Sequence, residues 1–171
     1  YRKGGHGYKK EDAKMLLDPY TCLAQPFGFP FNPIKADYTF DDGDILEIAG
    51  IQIKVILTPG HTLGSACFLI NNMLFSGDTL FQRSIGRTDV PEFKFRKDID
   101  MNYISEELLK ELEKKYPGEK INIITSCDNF DTISDSIRNK LYIIDENTPV
   151  YSGHGDKTTI KEEKHENMFV R

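Results

Sequence analysis

Thr58-Pro59-Gly60-His61-Thr62-Leu63-Gly64-Ser65 lies between two apolar runs, Ile51-Gln52-Ile53-Lys54-Val55-Ile56-Leu57 before it and Ala66-Cys67-Phe68-Leu69-Ile70 after it. Both runs are short, β-branched or aromatic, and bounded by turn residues, which is the pattern of strands. Pro59-Gly60 breaks the first strand, and Gly64 frees the backbone before the second. One imidazole is thereby held on a tight turn at a strand end. Phe75-Ser76-Gly77-Asp78-Thr79-Leu80-Phe81 repeats the arrangement with a carboxylate, and Val150-Tyr151-Ser152-Gly153-His154-Gly155 repeats it with a second imidazole. A His, an Asp and a His, each beside a glycine at a strand end, outline a metal site. A second reading stands beside this one. Gly-His and Gly-Asp turns also exist for turn chemistry alone, and a lone histidine commonly has a structural role.

Working outward, Tyr38 to Ser76 reads as a β-meander, with Asp42-Gly43-Asp44, Ala49-Gly50 and Asn71-Asn72 as its turns. Upstream, Lys10 to Leu17 reads as a short helix stopped by Asp18-Pro19. Ala24 to Pro33, with three prolines and three phenylalanines, reads as a packed loop over a cleft or as core anchors. Downstream, Gln82 to Pro91 is loop-like. A helix is expected from Ser105 to about Tyr116, with Leu108, Leu109 and Leu112 as its stripe. Ile121 to Thr125 reads as a strand. A helix from about Asp131 carries Ile133, Ile137 and Leu141 at i, i+4 and i+8. Thr159 to Glu162 fits a capping box opening a last helix. Strands followed by interleaved helices predict an α/β or α+β layered fold.

The chain has 171 residues, enough for one domain with a real core, and 39% hydrophobic with 29% charged residues is ordinary for a globular protein. A net charge of −5 without a Lys/Arg block argues against a nucleic-acid surface. No apolar run is long enough to span a membrane or act as a signal segment. The three cysteines, Cys22, Cys67 and Cys127, form no CxxC pair and suggest a reducing compartment, so a cytoplasmic location is expected. Of the remaining histidines, His6 lies in a glycine-rich terminus and His165 in a charged helix, so both read as surface residues. The first residue is Tyr1, so the chain is expected to be a fragment or a processed form.

Taken together, Thr58 to Thr62, Phe75 to Phe81, Ser84-Ile85-Gly86-Arg87-Thr88-Asp89, Tyr151 to Gly155 and Thr158 to Lys164 resemble the metallo-β-lactamase superfamily. The branch most similar is that of the glyoxalase II-like hydrolases. The likeness covers most of residues 8–91 and 128–171 and includes the Glu11 to Pro19 helix and the Phe27 to Phe31 loop. It implies an αββα sandwich with the site along one edge. His61 resembles a ligand of the first zinc, Asp78 the bridging carboxylate and His154 a ligand of the second metal. One or two zinc ions are implied, with iron as an alternative. The implied chemistry is attack of a metal-bound hydroxide on a small-molecule thioester of the S-lactoylglutathione type. Arg87 and Lys164 are candidate anchors for an anionic substrate; a solubilising or salt-bridging role is the other reading of each. A homodimer is left open.

Two departures qualify the resemblance. The family's His-x-His-x-Asp-His motif is absent, so the chain carries only the later ligand positions. An upstream segment, or loss of activity, would account for this. Glu92 to Cys127 stands where the family has a short connection. The preferred reading is a surface insertion within one domain spanning 1–171, because Ile133, Ile137 and Leu141 already explain the helix that follows. The other reading is that this segment supplies the missing strand and a degraded metal loop, which pairing of Ile121 to Thr125 inside a sheet would favour. Two further functions compete with the hydrolase: an iron-dependent persulfide dioxygenase, which shares the fold and the Gly86-Arg87-Thr88-Asp89 loop, and a non-catalytic binding module that has lost its site.

Overall fold

A computed structural model describes residues 7–8, 12–19, 22, 24–25, 28–88, 92–94, 110, 114, 122–124 and 128–170. The strands are β1 (Gly7–Tyr8), β2 (Tyr38–Thr39), β3 (Ile45–Ile48), β4 (Ile51–Leu57), β5 (Ala66–Ile70), β6 (Met73–Gly77), β7 (Leu80–Phe81), β8 (Ser84–Ile85), β9 (Glu92–Lys94), β10 (Asn122–Ile124), β11 (Pro149–Ser152) and β12 (Thr158–Thr159). The helices are α1 (Asp12–Leu17), α2 (Asp128–Ser136) and α3 (Ile160–Glu166).

The meander forms as expected. Strands β3 to β6 pair antiparallel in sequence order, and β11 adds parallel to β6, with β12 at the edge. The turns explain the register. Ala49 and Gly50 both have positive φ, as do Asn71 and Asn72, and two-residue turns of this kind match the twist of the strands they join. Of the two sheets that the αββα resemblance implies, the described residues carry one large one.

One face of this sheet packs on the helices. Ile56, Cys67, Leu74 and Val150 meet Ile133, Ile137 and Leu141, joined by Ile160 and Val170. The three α2-side residues are fully buried, so the i, i+4, i+8 stripe is the core stripe. Each such side chain contributes roughly 1.5–3 kcal/mol by burial. The helix does not stay α to its end. Ile137–Leu141 is a π-helical turn, closed by Tyr142 N–H donating to Ile137 O at 2.9 Å. The opposite face is also apolar. Val55, Phe68, Phe75 and Tyr151 form one cross-strand row. Phe75 stacks on Tyr151 at 5.4 Å, and Phe40 sits edge-on to Phe68. Phe75, Ile48 and Ile51 on that face are nonetheless exposed. A sheet that is apolar on both faces has the pattern of one packed on both sides, not of one with a wetted face.

Two expectations need correction. The first helix is a 3₁₀ segment over Asp12–Leu17, tighter than read, and its expected start at Lys10 lies outside the described residues; Asp18 precedes Pro19, which disfavours α geometry there, and the Asp12 side chain is drawn away to another loop. The stretch after Phe81 is not all loop. It contains the β7–β8 hairpin, turning at Gln82-Arg83 with Arg83 at φ +56°. The strand read at Ile121 to Thr125 is present as β10, which pairs with β9 at the other end of the same segment, in a two-stranded ribbon outside the large sheet. The helix expected from Ser105 lies largely outside the described residues; Lys110 and Lys114 are helical. The capping box is present: Glu162 N–H donates to Thr159 Oγ1 at 3.2 Å at the start of α3. No helix among the described residues is long and apolar enough to cross a membrane.

Candidate metal centre

Topology brings the three donors together. Strands β6 and β11 are parallel neighbours, so Gly77 and Ser152 end at the same edge. Strand β4 is separated from β6 by one antiparallel strand, so it ends at that edge too. His61, Asp78 and His154 each follow one of these three ends. Hydrogen bonds at the edge hold the turns together: Gly153 N–H donates to Gly77 O at 2.8 Å, and Gly86 N–H to Thr79 O at 3.1 Å. Gly153 and Gly86 leave no room for a side chain. A Cβ on Gly153 would stand 2.4 Å from Asp78 Oδ1, and one on Gly86 would stand 1.8 Å from Asp78 O.

Asp78 is the centre of the arrangement. Its Oδ2 faces His61 Nε2 at 3.7 Å, and its Oδ1 faces His154 Nδ1 at 3.3 Å. The other nitrogen of His61, Nδ1, lies 2.9 Å from Arg87 O. A carbonyl only accepts, so Nδ1 carries the proton, and in the neutral imidazole Nε2 turns a lone pair toward the carboxylate. Two acceptors 3.7 Å apart do not form a hydrogen bond. They suit two ligands of one cation: donors ~2.1 Å from a tetrahedral metal stand about 3.4 Å apart. The 3.3 Å separation on the other side of Asp78 fits equally. The carboxylate thus turns one oxygen to each of two positions, with a histidine at both. The three side chains do not close on a single point. Among the described residues no set of three or more His, Cys, Asp or Glu side chains could hold one metal ion. Each position thus has two of the three protein donors that a catalytic zinc site uses.

Exposure differs across the centre. The His61 side chain is 21% exposed and that of His154 is 75% exposed, leaning on the Phe81 ring at 4.6 Å. Beneath the His61 turn lies a buried polar layer. Thr58 Oγ1 bonds Thr79 Oγ1 at 2.8 Å and Cys67 Sγ at 3.4 Å, which ties β4 to the Asp78 turn. Burial pushes the Cys67 thiol up to about 11, against the pull of its bonds to Thr58 and Thr79. A cleft of about 510 Å³ opens beside Asp78, polar at Asp12, Thr62 and Thr79 and apolar at Phe40 and Phe68.

Arg87 enters the centre through its backbone carbonyl. Lys164 donates to Glu146 Oε1 at 3.0 Å, and that hydrogen bond first, with the lysine charge, holds the Glu146 carboxyl below its ordinary range. Two residues escaped the sequence reading. Asp12 accepts from Thr62 Oγ1 and Gly64 N–H, which fixes the loop after His61; nothing in local spacing signals this. Glu163 is buried on α3, and its position in the stripe Ile160, Glu163, Asn167, Val170 was a readable sign of a carboxylate facing inward.

A mixed sheet with helices packed on one face carries His61, Asp78 and His154 along one edge. The chain belongs to the metallo-beta-lactamase superfamily, whose family model matches residues 2–143. Members of this superfamily bind divalent metals, zinc or iron, and are mostly hydrolases. The chain is similar to hydroxyacylglutathione hydrolase GloC of Haemophilus influenzae, 29% identical over 94% of this chain and 61% of that protein. Its fold matches the B3 metallo-beta-lactamase BLEG-1 at a TM-score of 0.70, with 28% identity over 97% of this chain and 65% of the other. It also matches TTHA1623, solved in a di-iron-bound form, at a TM-score of 0.59, with 22% identity over 95% of this chain and 63% of the other, a likeness of fold alone. The chain spans about three fifths of the length of GloC and of the mycobacterial relatives it matches, and 39–49% of the length of other curated relatives.

Proposed function

We propose that this chain is part of a metal-dependent thioester hydrolase of the glyoxalase II type, with S-lactoylglutathione as the type of substrate. The observation that carries the reading is the Asp78 carboxylate, turned with one oxygen toward His61 and the other toward His154. A metal bound there supplies Lewis acidity and makes water a nucleophile near neutral pH. The protein's part is to hold the donors ready. Arg87 O keeps the His61 proton on Nδ1, Gly153 and Gly86 keep space around Asp78, and the Thr58–Thr79 bond locks two of the turns together. The two donors at each position call for more, and the likeness to GloC supports a source in the portion of the relatives that this chain does not span.

The test is metal content and S-lactoylglutathione turnover, measured on this chain and on a version extended by whatever precedes it in the gene. One to two zinc ions per extended chain, with turnover abolished in Asp78→Asn, is the expected result. Iron in place of zinc, with oxygen uptake on glutathione persulfide, would replace the hydrolase with the dioxygenase. No stoichiometric metal in either version would overturn both.

A further inference from the structure

Glu163 is fully buried, and its carboxylate is held by three neutral donors. Thr158 Oγ1 donates to Oε1 at 2.6 Å; Arg83 N–H and Asn167 Nδ2 donate to Oε2, each at 2.9 Å. A buried carboxylate is costly unless its oxygens are satisfied, and here each is. Its presence raises the Tyr142 hydroxyl's pKa, after the larger effect of burial. Two of its three donors lead to the β7–β8 hairpin. Arg83 is the turn residue with positive φ, a conformation an arginine rarely adopts. Asn167 Nδ2 also donates to Ser84 O at 3.0 Å. The Arg83 guanidinium is engaged elsewhere, with Glu166 at 2.6 Å, so Glu163 grips the backbone of the turn and not the charge.

The hairpin runs directly into the metal centre. After β8 come Gly86, whose N–H bonds Thr79 O, and Arg87, whose carbonyl receives the His61 Nδ1 proton. We propose that Glu163 is a positioning residue for His61. By clamping the turn at Arg83 and Ser84 it holds the Arg87 carbonyl in place, and so fixes the tautomer that turns His61 Nε2 toward Asp78. The path runs from α3 through one strained turn to the imidazole, with no side chain of Glu163 near the centre itself. Outer partners of this kind set the tautomer and basicity of metal-binding histidines. The coupling stands on the hydrogen bonds alone; its consequence for metal binding rests on the function proposed above.

The test uses the full gene product labelled with ¹⁵N-histidine. Long-range proton–nitrogen spectra of the metal-free protein report the His61 tautomer, and Co²⁺ titration reports affinity. The wild type should show one Nδ1–H tautomer. Glu163→Ala should give a mixture of tautomers and bind Co²⁺ about 10–100-fold more weakly. Glu163→Gln keeps one acceptor and should fall between. Ile137→Val, a destabilising change in the core away from this path, should leave the tautomer unchanged. If Glu163→Ala keeps the single tautomer, or Ile137→Val mixes it equally, the proposal is overturned. If the tautomer mixes while Co²⁺ affinity holds, the coupling stands and the metal reading fails. Should Glu163→Ala not fold, Glu163→Gln and Asn167→Ala decide the outcome by the same spectra.

Discussion

Asp12 and Thr62 are fifty residues apart in the chain and joined by a 2.6 Å hydrogen bond, Thr62 Oγ1 donating to Asp12 Oδ2. The other carboxylate oxygen accepts from Gly64 N–H at 2.9 Å. Since the Thr62 proton goes to Asp12, Ser65 Oγ donates to Thr62 Oγ1 at 2.8 Å and is itself the acceptor for Thr62 N–H. The loop after His61 is thus built around one carboxylate from the 3₁₀ helix.

Replacing Asp12 by alanine should release that loop. Two hydrogen bonds to an ionised group are lost at a half-buried site, so the expected cost is about 1–2 kcal/mol. Urea unfolding measures the cost. Amide exchange locates it, because Gly64 N–H should lose protection while the β4 amides keep theirs. Unchanged protection at Gly64 would show that Asp12 does not hold the loop.

What the sequence made legible was local. Gly50 and Asn71-Asn72 name their hairpins because residues tolerant of positive φ are what two-residue turns demand, and Ala49 takes its positive φ without that tolerance. Ile133, Ile137 and Leu141 mark the buried face of α2 and of the π turn that continues it, and Thr159 marks the start of α3. The placement of the glycine-flanked His61, Asp78 and His154 at strand ends was legible for the same reason, since each sits in a strand-ending turn. What was not legible depends on distant partners. Arg83 takes a left-handed turn conformation with its N–H held by Glu163, eighty residues away, so Gln82 to Pro91 looked like plain loop. The Thr62 bond to Asp12 has no local signature either. The π turn at Ile137–Leu141 keeps the apolar stripe facing the core, so the stripe alone does not reveal it.

Asp42 should give the protein an acid-sensitive stability component. Its Oδ1 accepts from Leu57 N–H and its Oδ2 from Lys140 Nζ, which also donates to Leu57 O. Burial pushes the carboxyl up, but the Lys140 ammonium and the Leu57 N–H outweigh it, and the net shift is below the ordinary 3.8. A carboxyl lowered by folding contributes stability above its unfolded pKa and loses it as pH falls through the folded one. The side chain is about half exposed, so the contribution is within about 1 kcal/mol. Unfolding free energy followed from neutral pH downward should fall less steeply in Asp42→Asn than in the wild type, below about pH 4. Parallel curves would remove Asp42 from the account.

Cys67 should be chemically silent in the native protein. It has no solvent exposure, and its thiol is pushed up to about 11. The thiolate is the reactive form, so almost none is available at about pH 8. A disulfide exchange reagent should label the half-buried Cys22 slowly and Cys67 only after unfolding, as mass spectrometry of digested protein would show. Native labelling of Cys67 would mean that β5 opens from the sheet on the timescale of the assay.

Gly153 and Gly155 flank His154, and alanine should separate their roles. Gly155 has φ +90°, and a Cβ there would have nothing within 4 Å, so Gly155→Ala strains the backbone in open space. It should cost about 1 kcal/mol of stability and leave metal affinity close to wild type. Gly153 is exposed and its φ lies outside the left-handed region, so an alanine there meets no backbone strain. Its Cβ would meet Asp78 Oδ1 at 2.4 Å, far inside contact distance. The carboxylate must swing away, and it is the one group shared by both histidines. Gly153→Ala should therefore keep its unfolding midpoint while losing affinity for Co²⁺ or Zn²⁺ by about 10–100-fold in the full gene product. Equal loss of stability in the two variants, with equal affinity, would mean that the carboxylate can move without consequence and that Asp78 does not organise the centre.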